Sequence, residues 1–310
     1  MEYVLLVVGF VLLIKGADFF VEGSSSVAKR LRVPSLIIGM TIVAMGTSLP
    51  ECSVSINASI AGSNGLAISN AIGSNIFNLM MVCGVCALFS PLPVDVGTLK
   101  KEFPFSMAVS VIMLVFGVIG MVLGHIDGII LIAIFAVFLY WMVSSAKKAR
   151  AADKGQEEEY EILPIWKCIF YIVGGMVAII IGGDVVVDSA TEIAHTFNLS
   201  DNLIGLTIVA MGTSLPELVT SVVAAKKNEA DLAFGNVIGS NIFNILLVLG
   251  VAAAISPIEF AMENFIDGVV LVLMSVVVWI FSYSKHKIER GEGIVMVLMY
   301  AAYMVYICKR

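Results

Sequence analysis

The sequence predicts an all-α polytopic membrane protein whose ten transmembrane helices form two inverted-topology five-helix repeats. Three observations carry that expectation. Of the 310 residues, 59% are hydrophobic and 14% are charged, and the mean hydropathy is +1.01, more apolar content than a soluble core uses. Two polar motifs each occur twice, with a common offset between copies. Lys and Arg, finally, collect in alternate connections between apolar runs.

Windows of about 20 apolar residues, enough to cross a bilayer, fall near Tyr3 to Val21, Ile37 to Ala61, Leu66 to Leu88, Phe103 to Leu123 and Ile126 to Val143. They resume near Ile165 to Val187, Leu203 to Ala225, Leu232 to Ile255, Phe265 to Tyr283 and Gly293 to Cys308. Between the two sets lies the one clearly hydrophilic stretch, Lys147 to Glu161, which reads as a solvated linker. The expected organisation is a first repeat over 1–146, a linker over 147–163 and a second repeat over 164–310. The first apolar run lacks a basic leader and a small-residue cleavage site, so it is expected to stay as a membrane helix.

Basic residues follow spans one (Lys29, Arg30, Arg32), three (Lys100, Lys101), five (Lys147, Lys148, Arg150, Lys154), seven (Lys226, Lys227) and nine (Lys285, Lys287, Arg290). The connections after spans two, four, six and eight carry none. The positive-inside rule then puts odd-numbered connections in the cytoplasm and both termini outside. Lys309 and Arg310 at the C-terminus run mildly against it. An odd number of spans per half makes the second half enter the membrane in the opposite sense to the first, hence inverted repeats in a multi-pass cell-membrane protein.

The first motif, TIVAMGTSLPE over Thr41 to Glu51, returns unchanged at Thr207 to Glu217. The second, NAIGSNIFN over Asn70 to Asn78, returns as NVIGSNIFN at Asn236 to Asn244. Both pairs are 166 residues apart, as are Gly16-Ala17-Asp18 from Gly182-Gly183-Asp184 and Ser90-Pro91 from Ser256-Pro257. Pro50 and Pro216 give no N–H to the carbonyls of Gly46 and Gly212, so each helix should kink or break there. Irregular backbone at membrane depth is tolerated only where protein buries it or where it lines a watery cavity. A carboxylate at that depth marks an ion or proton pathway, which singles out Glu51 and Glu217. Ser74 and Asn78 share a helical face at i and i+4, as do Thr47 and Glu51.

If spans two, three, seven and eight converge, they bring together Glu51, Glu217, Asn78, Asn244 and hydroxyls from Thr47, Ser48, Ser74 and their partners, with carbonyls freed at the breaks. Every candidate ligand is an oxygen, which argues against zinc, copper and iron and suits a hard cation such as Ca²⁺.

With these motifs in place, the GTSLPE and GSNIFN pairs resemble the two α-repeats of the calcium/cation antiporter superfamily, which includes the sodium/calcium exchangers. The resemblance covers essentially the whole chain, with α-repeats near 37–88 and 203–254. It implies a prokaryotic-type ten-span fold with Glu51 and Glu217 as principal cation ligands. Thr47, Ser48, Thr213, Ser214, Ser74, Ser240, Asn78, Asn244 and carbonyls near Ala44 and Ala210 would complete the sites for calcium and its counter-ion. Some relatives carry Asp where this chain has Asn78 or Asn244, which leaves the counter-ion open. The linker is too short for the large calcium-sensing insert of animal exchangers.

The function implied is a secondary antiporter, not an enzyme, exporting Ca²⁺ in exchange for Na⁺ by alternating access. Exchange for H⁺ on the same fold is the alternative, because two facing carboxylates without a cation repel and invite a proton. A passive cation channel is a reading from another class, and an intramembrane hydrolase built on Ser48 or Ser214 lacks an activating base. Membrane lipid and the transported cations are the expected partners, with no nucleic acid, no obligatory protein partner and no cofactor.

Blander roles stand beside these. The two glutamates could be protonated structural partners, and the Ser, Thr and Gly residues could serve helix packing. Lys15 and Asp18 are spaced for a local ion pair. Cys83 and Cys86 have redox-motif spacing but lie in an apolar helix, where packing is the expected role. His125, His195 and His286 fall at expected loop ends and are expected to be solvated. The topology is checked by placing a cysteine in the 147–161 linker: it should resist an impermeant reagent in intact cells and react after permeabilisation, and reaction from outside would overturn the orientation.

Overall fold

The computed structural model describes residues 1–152, 163–197, 208 and 210–309. Among them, eight helices are long and apolar enough to cross a membrane, or nine when a bent pair is taken as one span. They are α1 (Glu2–Leu31), the pair α2 (Ser35–Thr47) and α3 (Leu49–Ile60), α4 (Asn64–Phe89), α5 (Val96–Val118), α6 (His125–Ala152) and α7 (Ile165–Thr196). After the short α8 (Ala210–Gly212) and α9 (Leu215–Lys226) come α10 (Ala230–Ile255), α11 (Met262–Lys285) and α12 (Arg290–Lys309). Of the seventh expected span, 203–207 and 209 lie outside the described residues, and α8 and α9 are the helices described within it.

Several helices overrun their apolar windows. The fifth continues through Lys147, Lys148 and Arg150 to Ala152, so the start of the expected linker is helical. Long basic side chains can extend from a membrane helix into water, so charge does not end the helix. The remainder of that linker, 153–162, falls outside the described residues.

Among the described residues, the connections sort into two groups. Two-residue strands β1 (Leu92–Pro93) and β4 (Lys287–Ile288) pair antiparallel, joining the connections after α4 and α11. Lys29 and Glu229, after α1 and α9, form an ion pair at 3.1 Å, and Ser25 and Ser35 also bond Glu229. On the other side β2 (Val122–Leu123) pairs with β3 (Ile258–Glu259), joining the connections after α5 and α10. There Asn64 donates to Ser256 Oγ and to the Pro257 carbonyl, both at 2.8 Å, and the His125 ring meets the Ala254 carbonyl at 3.0 Å. Odd-numbered connections meet odd and even meet even, as alternate crossing requires.

The centre is built by α4 and α10, whose membrane windows are 72% and 78% buried against 17–39% for the other continuous spans. These two carry the second motif, and the other continuous spans, less buried, pack around them and the broken helices. Close approach at the centre depends on glycine. A Cβ on Gly39 would lie 2.6 Å from the Leu232 carbonyl, and one on Gly235 would lie 2.5 Å from the Leu36 carbonyl, so α2 and α10 touch through bare backbone.

Asp18 does not use Lys15. Its carboxylate pairs with Lys227 at 2.6 Å, which also approaches Glu22 at 3.7 Å, because a tertiary partner at the end of α9 competes better than a neighbour on the same exposed face. His125, His195 and His286 are exposed, and Cys83 and Cys86 are buried as free thiols.

Gly235→Ala should force α2 and α10 apart. The expected loss is about 1–3 kcal/mol, the usual cost of overpacking, read as a lower melting temperature in detergent. An unchanged melting temperature would show that the two backbones can separate freely.

Candidate cation site

The Pro-containing motif makes a clean break, not an interior kink. Helix α2 ends at Thr47, Ser48 leaves helical geometry (φ −85°, ψ 11°), and α3 starts at Leu49 in a direction 49° away. Pro50 then sits in the first turn, where its missing N–H is no loss. Ser214 repeats this conformation (φ −95°, ψ 5°) before α9, with Pro216 in its first turn. Glu51 and Glu217 consequently occupy the first turns of α3 and α9, where the helix dipole favours negative charge.

Both carboxylates are wholly buried, as are Ser48, Ser214, Ser240, Asn78 and Asn244, and Thr47 and Ser74 nearly so. Each is held by the opposite half. Ser48 Oγ donates to Glu217 Oε1 at 2.9 Å, and Ser214 Oγ donates to Glu51 Oε1 at 3.1 Å. Ser240 Oγ adds a long contact of 3.5 Å to Glu217 Oε1. Thr47 Oγ1 has one proton to donate, and the Val43 carbonyl at 3.2 Å and Asn236 Oδ1 at 3.1 Å both lie within reach of it.

The second oxygens, Glu51 Oε2 and Glu217 Oε2, have no hydrogen-bond partner, and neither do Asn78 Oδ1, Asn244 Oδ1, Ser74 Oγ or the half-buried residue Thr213 through its Oγ1. Among the described residues neither carboxylate has a cationic partner. No three His, Cys, Asp or Glu side chains come together there either. Two charged oxygens with neutral oxygens around them, and no nitrogen or sulfur, form a donor set for a hard cation.

The carbonyls around the break divide by their helical partners. The Ala44 carbonyl keeps a helical bond from the Ser48 N–H at 3.1 Å, and the group that loses its i+4 donor to Pro50 is the Gly46 carbonyl. In the second half the Ser214 N–H turns to the Met211 carbonyl at 3.2 Å. Ala210 opens α8.

Two features lay beyond the helical spacing. Asn70 Nδ2 reaches Ser55 Oγ (3.0 Å) and the Glu51 carbonyl (3.3 Å), while Asn236 Nδ2 reaches Ser221 Oγ (3.0 Å), bracing each half-helix against its neighbour. Wide π turns run over Gly39–Val43, Asn78–Val82 and Asn244–Leu249, the last two opening on the motif asparagines. Recurrence of Asn70 and Asn236 in the duplicated motif was the available signal for the brace. Single π turns leave no comparable mark on hydropathy.

A cavity of ≈ 550 Å³ lies beside the break, lined by Pro50, Ser53, Asp184, Asp188, Thr213 and Pro216 among others. Ser53 is past the break toward the Ile60 end of α3, so the cavity is on the side of the even-numbered connections.

The family described as sodium/calcium exchanger protein matches residues 1–144 and 167–309. The chain is 40% identical over 309 residues to a protein of Alkalimonas amylolytica provisionally named antiporter CaxA, covering 97% of this chain and 96% of that one. It is 33% identical over 343 residues to the sodium/calcium exchanger MaX1 of Methanosarcina acetivorans, covering 98% and 97%. The solved structure of the sodium-calcium exchanger NCX_Mj soaked with 2.5 mM Na⁺ and 10 mM Sr²⁺ superposes with a TM-score of 0.85 at 34% identity over 98% of both chains. Paired polar motifs, helices broken at corresponding positions and full-length similarity place this multi-pass membrane protein in the sodium/calcium exchanger family.

Proposed function

We propose that the protein is a secondary antiporter that exports Ca²⁺ in exchange for Na⁺ by alternating access, through ten spans in two inverted repeats. The observation that carries this reading is the reciprocal burial of Glu51 and Glu217, each held by a serine of the other half and each with one oxygen lacking a donor. Two carboxylates balance one Ca²⁺. Coulomb attraction of ~4 kcal/mol per unit-charge pair at about 4 Å and an effective dielectric of about 20 makes each carboxylate charge decisive for holding a divalent ion, while the neutral oxygens replace its water ligands.

In this reading Glu51 and Glu217 are the charged ligands. Thr47, Thr213, Ser48, Ser214, Ser74, Ser240, Asn78, Asn244 and carbonyls near Ala44 and Ala210 supply neutral oxygens to calcium and to the counter-ion. Calcium and sodium are cargo, and no resident cofactor takes part. The motif break allows half-helices to move relative to one another, and the cavity beside Asp184 and Asp188 supports access from the even-numbered side. With odd-numbered connections cytoplasmic, that side is the exterior, and both termini face it. The family and the relatives named for sodium/calcium exchange favour sodium over protons as the counter-ion. A channel is disfavoured by the matched halves and by the Asp18–Lys227 pair, which ties α1 to the end of α9 on the side opposite the cavity.

Calcium uptake into sealed proteoliposomes at fixed pH should require an outward sodium gradient, with no uptake on a proton gradient alone. Glu51→Gln and Glu217→Gln should each abolish it, the double variant being no worse, while stability holds or rises because a buried charge has been removed. Proton-driven uptake without sodium would make the exchanger a Ca²⁺/H⁺ antiporter. Intact exchange in either single variant would return that glutamate to a structural role.

A further inference from the structure

Four buried asparagines close a ring between α4 and α10. Asn75 Nδ2 donates to the Asn241 carbonyl at 3.1 Å, and Asn241 Nδ2 donates to the Asn75 carbonyl at 3.3 Å. Their side-chain oxygens accept from the other two: Asn78 Nδ2 lies 3.2 Å from Asn241 Oδ1, and Asn244 Nδ2 lies 3.1 Å from Asn75 Oδ1. All four residues are 0–3% exposed.

A carboxamide has one donor end and one acceptor end. Because the ring takes the NH₂ of Asn78 and Asn244, their oxygens must point away from it, and both of those buried oxygens lack a donor. The pattern admits one orientation. Turning Asn78 or Asn244 over would set oxygen against oxygen. Turning Asn75 or Asn241 over would set its oxygen against the opposite carbonyl and its NH₂ against a second NH₂. The π turns start at Asn78 and Asn244, just beyond the two backbone carbonyls that accept these lateral bonds.

We infer that Asn75 and Asn241 are positioning residues for ion binding: they lock the carboxamides of Asn78 and Asn244 with oxygen, not NH₂, presented to the cation. The inference rests on the proposed cation site and assigns a role to two residues outside its ligand set. Asn78 and Asn244 are one helical turn from Ser74 and Ser240, and Ser240 reaches Glu217. A carboxamide free to rotate would offer its positive NH₂ end to the ion part of the time. The ring removes that state without adding charge to a site that already holds two carboxylates.

The test compares monodisperse, reconstituted parent, Asn75→Ala, Asn241→Ala, Asn244→Ala and the Asn75→Ala/Asn244→Ala double variant. The readout is the calcium concentration at half-maximal sodium-driven uptake. Asn75→Ala and Asn241→Ala should each raise it about 10-fold or more, the range for residues that orient metal ligands. With Asn244 already truncated, Asn75→Ala should add little, since it acts through Asn244. Half-saturation unchanged in either single variant, or losses that multiply fully in the double variant, would leave the ring as packing alone. Failure of both single variants to fold would overturn the inference in the same way. A parent that shows no sodium-driven calcium uptake would instead refute the functional reading beneath it.

Discussion

Two carboxylates buried in a membrane protein with, among the described residues, no cationic side chain beside them set the terms for the rest of this structure. Removing a carboxylate from water costs several kcal/mol even after relaxation, and bilayer hydrocarbon offers nothing in return. Each local irregularity answers that cost. The breaks at Ser48 and Ser214 put Glu51 and Glu217 in first helical turns, where the dipole contributes up to about 2 kcal/mol. A serine hydroxyl from the opposite half adds a charge-assisted bond of about 1.5–3 kcal/mol. Both contributions leave one oxygen of each carboxylate without a donor, the arrangement expected of a group that shares its charge with a mobile ion.

The reciprocity of the contacts explains the duplication. Ser48 serves Glu217 and Ser214 serves Glu51; Asn75 and Asn241 exchange backbone bonds; β1 pairs with β4 as β2 pairs with β3. Bonds such as Asn70–Ser55 and Asn236–Ser221 stay within one half, but the carboxylates and the paired asparagines take donors from the other. In a medium without water, polar groups must find partners within the protein, so a repeat unit carrying these motifs has its partner specified by chemistry. The glycine contacts between α2 and α10 then bring the backbones close enough for those short polar side chains to meet.

Much of this was legible in the sequence because membrane depth makes polarity conspicuous. A glutamate after Gly-Thr-Ser-Leu-Pro inside an apolar run has few structural explanations, and finding it twice at one offset leaves fewer. Spans, alternate basic connections and the Pro-dependent break follow from one-dimensional pattern. What pattern could not supply was partner identity. That Ser48 binds Glu217 and not Glu51, or that Asp18 chooses Lys227 over Lys15, is decided by residues more than 160 positions away. Asn75 and Asn241 stood in the quoted motif, three residues before Asn78 and Asn244, yet their ring exists only across the interface. The π turns were hidden for another reason: they change carbonyl direction without changing hydropathy.

The central claim is that the two halves share one cation site between Glu51 and Glu217. Anomalous diffraction from crystals grown in strontium, a calcium surrogate with a usable absorption edge, tests it most directly. The account predicts one strong peak within about 2.8 Å of oxygens from both glutamates, slightly beyond the 2.3–2.6 Å range of calcium. A peak coordinated by one glutamate alone, or strontium confined to the acidic cavity mouth at Asp184 and Asp188, would contradict it.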